Sequence, residues 1–68
     1  MPAVNPDILR WARETAGLTL EEAAEKLSIG EARGVPGDER LAAYEIGEAE
    51  PSRPLLLRMS RQYRRPLL

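Results

Sequence analysis

Helix start and stop signals recur along this chain at short intervals, and they leave room only for short helices. Asn5-Pro6-Asp7 is the first start. It offers a capping Asn, a proline suited to the first helical position, and an acid that favours the positive end of the helix dipole. Gly17 is the matching stop, at a position where positive φ is needed. Thr19 then opens a capping box with Glu22. Asp38 is a third start, for a helix over Glu39–Ile46 that stops at Gly47. Ser52 is a fourth, with Pro54 tolerated in the first turn and Pro66 closing the segment after Tyr63. Gly30 to Gly37, with three glycines and a proline, reads as a loop. No segment alternates as a strand does. The expectation is one all-α domain over residues 1–68, a bundle of four to five short helices, with residues 1–4 as an extended arm.

Apolar residues at helical spacing give the inward faces. Leu9, Ala12 and Ala16 form one stripe; Leu20, Ala23, Ala24 and Leu27 form the next. Leu41, Ala42 and Tyr44 face inward from the third helix, and Leu56, Met59 and Tyr63 from the fourth. Small residues at 23 and 24 allow another helix to approach closely. Leu55 and Leu57 fall outside the fourth stripe, and Trp11 lies beside the first. These three are candidate interface residues, for a homodimer or for a following domain; the other reading of Trp11 is that it closes the edge of the core.

Composition removes whole classes of function. The chain has no cysteine and no histidine, so it lacks disulfides, the commonest metal ligand and the commonest acid–base group near neutral pH. No nucleophile–base or metal constellation is visible, so no enzymatic activity, no metal site and no cofactor are expected. No apolar run is long enough to span a bilayer, which argues against a membrane partner and makes the cytoplasm the expected location. A chain of 68 residues buries only about 60% of its unfolded surface, so its stability margin is thin. Charge is unevenly spread: residues 1–52 hold all 11 acids and five bases, net −6, and residues 53–68 hold five arginines and no acid, net +5. Such asymmetry suits an anionic partner; arginines also complement a helix C-terminus without any partner.

Two short helices joined across small residues follow the helix-turn-helix plan. The run Arg13-Glu14-Thr15-Ala16-Gly17-Leu18-Thr19-Leu20-Glu21-Glu22-Ala23-Ala24-Glu25-Lys26-Leu27, followed later by Tyr44-Glu45-Ile46-Gly47 and Pro51-Ser52, resembles the Xre/Cro family of phage-repressor-type domains. Leu9-Arg10-Trp11-Ala12-Arg13-Glu14, Leu41-Ala42-Ala43-Tyr44-Glu45 and Tyr63-Arg64-Arg65-Pro66-Leu67 resemble more narrowly the N-terminal module of ImmA/IrrE-type proteins. There a helix-turn-helix precedes a zinc metallopeptidase domain bearing His-Glu-x-x-His. This histidine-free sequence stops where that half would begin, and it reads as a fragment or a free-standing module with no protease activity.

The resemblance implies a lambda-repressor-like bundle acting as a DNA-binding transcriptional regulator or antitoxin. Its third helix would dock in the major groove, and dimerisation would supply two half-sites. It implies a partly buried structural salt bridge between Arg13 and Glu45. Candidate DNA contacts are Asp38, Glu39, Arg40 and Ala43 on the third helix, with Thr19 at the start of the second. Of these Arg40 best suits phosphate or guanine, while the two acids repel phosphate. The family joins its second and third helices by a tight turn; here 11 residues separate Ile29 from Leu41. The loop at 30–37 therefore reads as an insertion that either brings Arg33 to a phosphate or blocks docking. Acidic helix 3, net charge −1 and this insertion favour a second reading. In it the chain is a helix-turn-helix-derived interaction module that has lost DNA binding and docks a metallopeptidase domain or a toxin partner.

Overall fold

A computed structural model describes residues 5–67; the expected arm at residues 1–4 lies outside them. The elements run α1 (Pro6–Thr15), α2 (Leu20–Lys26), α3 (Gly37–Glu45) and α4 (Arg53–Tyr63). The fold is an all-α bundle of four short helices, and among the described residues no strand forms beyond one isolated bridge, Ala32 to Val35.

Local chemistry explains most boundaries. The Asn5 side chain accepts from the Asp7 amide at 2.9 Å, and Gly17 at φ 76 turns the chain out of α1. Thr19 Oγ1 accepts from the Glu22 amide at 3.1 Å while the Glu22 carboxylate accepts from the Thr19 amide at 3.0 Å. This reciprocal box satisfies two donors that the helix geometry would otherwise orphan. The Thr19 amide first, and then its hydroxyl, hold the Glu22 carboxyl below its usual pKa. Thr19→Ala is expected to cost about 1 kcal/mol, seen as a lower urea midpoint by circular dichroism. Ser52 Oγ caps α4 through the Leu55 amide at 3.3 Å.

One start differs from expectation. α3 begins at Gly37, with Pro36 at the N-cap and no side-chain cap. Asp38 is therefore not the cap. It stands inside the first turn beside Glu39, where both acids still suit the helix dipole.

Leu9, Ala12, Ala23, Leu27, Leu41 and Met59 centre the core, and Leu18, Leu20 and Tyr44 pack half-buried against it. Two side chains depart from the expected faces. Ala16 is exposed because α1 ends at Thr15 and Ala16 serves as its C-cap; Arg13 takes the inward position instead. Leu55, expected outside, is only 5% exposed. The buried arc of α4 spans Leu55, Leu56, Met59 and Tyr63, wider than the expected stripe of Leu56, Met59 and Tyr63, as suits a helix lying on a core rather than in a two-helix seam. Ala42 is half-buried.

The inserted segment is not an open loop. Ala32 and Val35 exchange backbone hydrogen bonds at 3.0 and 2.9 Å. The residues between them, Arg33 at φ 54 and Gly34 at φ 78, are both left-handed, the signature of a tight type I′ turn. Pro36 then leads directly into α3.

Candidate nucleic-acid interface

α2 packs on α3, and α3 on α1. Contact between α2 and the start of α3 is unusually close. A Cβ at Gly37 would land on the carbonyl oxygen of Ile29 and meet the Ala24 Cβ at 3.6 Å. Only glycine lets the first turn of α3 sit against the chain leaving α2.

α3 is tied to α1 by a buried ion pair. Arg13 Nε donates to Glu45 Oε2 at 2.7 Å and Nη2 donates to Oε1 at 3.1 Å, a two-pronged match of planar groups. A third donor, Nη1, reaches the Leu18 carbonyl at 2.8 Å. Both residues are under a tenth exposed, and the Glu45 hydrogen bond raises the Arg13 pKa above its ordinary value. This pair fixes the angle at which α3 packs against α1.

Tyr63 lies near the same pair. Among the described residues its buried hydroxyl has no hydrogen-bond partner. Burial first, then the Glu45 charge, push its pKa from 10.0 to about 12. The neutral phenol is thus favoured in the folded chain. Its contribution to stability is full below pH 10 and is lost as pH rises towards 12. Tyr63→Phe should remove this alkaline loss. It should also raise stability by about 1 kcal/mol at pH 7, because an unsatisfied hydroxyl is no longer buried. Urea melts of both proteins at pH 7 and pH 11 check this; a destabilised phenylalanine variant would contradict it.

The expected DNA contacts are placed differently from one another. Arg33 is exposed at the tip of the rigid turn that precedes α3. Arg40, half-buried, is already engaged: its Nη1 donates to the Gly30 carbonyl at 2.6 Å, clamping the start of the inserted segment to α3. Asp38 is half-buried, Glu39 exposed and Ala43 half-buried. Asp38 shares a shallow cleft of about 250 Å³ with Glu21 and Glu25 of α2, so the seam between the two helices is acidic. The oxygen and the amide of Thr19 are both engaged in the capping box. No family model, curated protein or solved structure matches the chain.

The expected interface residues are not all exposed. Leu55 belongs to the core, Leu57 is 44% exposed, and Trp11 is 53% exposed with the Arg65 guanidinium 5.2 Å from its ring centre. Ile8 and Ile46 are also exposed and were not singled out from sequence. Ile8 stands three residues before Trp11, so the flank of the first stripe was the available signal. Among the described residues no group of three or more metal-ligating side chains converges, and no helix is long and apolar enough to cross a membrane.

Proposed function

We propose that this chain is a repressor-type helix-turn-helix module that binds double-stranded DNA as a cytoplasmic transcriptional regulator or antitoxin. The observation that carries this reading is the mounting of α3. It is short, packed on α2 through Gly37 and clasped to α1 through Arg13–Glu45, so it is presented as a rigid rod. Arg33 on its closed turn, adjacent to the α3 start, is the free cation best placed to meet a phosphate there. Dimerisation would give two half-sites.

The test is binding of the purified chain to a random duplex pool and to its own upstream region across a salt titration. Steep weakening with salt is expected, since each phosphate contact releases counterions. Arg33→Ala should lower affinity for all sequences alike and reduce the salt slope by about 1. Binding with an unaltered slope would remove Arg33 from the interface.

A second reading rests on Arg40 and the acidic seam. The best base-reading side chain on α3 already bonds Gly30, and Glu21, Glu25 and Asp38 repel phosphate. These features favour an interaction module docking a metallopeptidase domain or toxin. Absence of DNA binding by a folded sample at low salt would select it.

A further inference from the structure

Three of the five arginines of residues 53–68 gather in one place, with Lys26 beside them. A groove of about 590 Å³ lies beside the end of α4, lined by Lys26, Arg61, Arg64 and Arg65 together with Leu18 and Tyr63. Among the described residues no carboxylate lines it, and none of the four cations forms an ion pair. Glu22 stands one turn before Lys26, but its carboxylate is turned to the Thr19 amide.

The backbone holds these cations in place. Arg64 sits at φ 57, a left-handed conformation that glycine adopts far more readily at a helix end. The Arg65 amide donates to the Ser60 carbonyl at 3.1 Å and the Leu67 amide to Ser60 Oγ at 3.2 Å. With Leu67 buried, the turn is pinned against the bundle. Arg64 and Arg65 are therefore offered from a fixed backbone.

The groove is also separate from α3. Glu21, Ala24 and Glu25 of α2 line the cleft with α3, whereas Lys26 faces the groove; successive positions about 100° apart put these on different flanks of the helix.

We propose that this groove binds an acidic peptide segment of a protein partner. Several planar guanidinium forks around one concavity match carboxylates in pairs, and Leu18 adds an apolar contact. A DNA duplex offers a broad convex row of phosphates, and cations around a concavity of about 590 Å³ suit a single extended chain better. Single-stranded nucleic acid requires open aromatic faces for stacking; Tyr63 is buried and Trp11 already carries Arg65.

The experiment is fluorescence anisotropy at low salt with a short labelled peptide of alternating glutamate and leucine. A duplex and a single-stranded oligonucleotide serve as competitors. The peptide should bind saturably. Arg61→Glu should weaken it by at least about tenfold, and Arg10→Glu, on another face, by less than about twofold. Arg64→Gly keeps the turn and relieves its strain, so it should weaken the peptide while the thermal midpoint holds or rises. The proposal is overturned if the folded chain binds no peptide, if Arg61→Glu and Arg10→Glu act alike, or if an oligonucleotide displaces the peptide. It is also overturned if sedimentation shows the groove filled by a second copy. None of these outcomes depends on whether α3 reads DNA.

Discussion

Glu45→Ala is expected to cost about 3–5 kcal/mol, because it leaves the Arg13 guanidinium buried with two of its donors unmet. A chain of this length has only about 3–10 kcal/mol of stability to lose. Most of the population should therefore unfold near 37 °C, read as loss of helical circular dichroism and a collapsed urea midpoint. The exposed pair Arg10–Glu14, at 3.4 Å with both side chains more than half exposed, gives the contrast. Glu14→Ala should cost no more than about 0.5 kcal/mol. Replacing both buried partners, Arg13→Met with Glu45→Leu, should recover much of the loss, since no charge is then stranded. Equal effects from Glu45→Ala and Glu14→Ala would mean that burial does not set the energetics of the Arg13–Glu45 pair.

Gly37→Ala is expected to destabilise by up to about 2 kcal/mol, although alanine is the better helix former. Propensity alone would favour alanine by about 1 kcal/mol. The added Cβ, however, would occupy the position of the Ile29 carbonyl oxygen. That oxygen belongs to backbone and cannot swing away, so α3 must shift on α2, and forced overpacking of this kind costs about 1–3 kcal/mol, from which the propensity gain is subtracted. Gly30→Ala, with nothing within 4 Å of its Cβ, is the control and should be nearly silent. Thermal melts of the two variants check the sign. A stabilised Gly37→Ala would show that the start of α3 can move freely.

Those two positions also mark how much was legible in sequence. The caps at Asn5, Thr19 and Ser52 act within three residues of themselves, so local chemistry suffices to read them. The start of α3 does not work that way. Asp38 is the better capping residue, but the helix begins at Gly37 because of a contact with Ile29, which no local rule contains. The turn at Arg33–Gly34 was hidden for a different reason. A type I′ turn normally announces itself with Asn-Gly or Asp-Gly, and an arginine at positive φ runs against that preference. On α4, the spacing of Leu56, Met59 and Tyr63 was visible, but the width of the buried arc depends on what packs beneath it, so Leu55 was misplaced. Among candidate contacts, Arg33 and Arg40 were picked out for their charge. Sequence could not reveal that Arg40 would be held by Gly30 while Arg33 stayed free.

The Arg13–Glu45 clasp also bears on the order in which the chain assembles. Its partners are 32 residues apart, whereas α2 and α3 are near neighbours whose contacts close short loops. Local pairings form first because their loop entropy is small. The clasp should then close after the rate-limiting step, with a φ-value near zero. Weakening it would hasten unfolding while leaving the folding rate almost unchanged. The native lifetime of this small bundle would thus be set by one distant pair of side chains, and the speed of its formation by the α2–α3 contact that closes before α1 reaches Glu45.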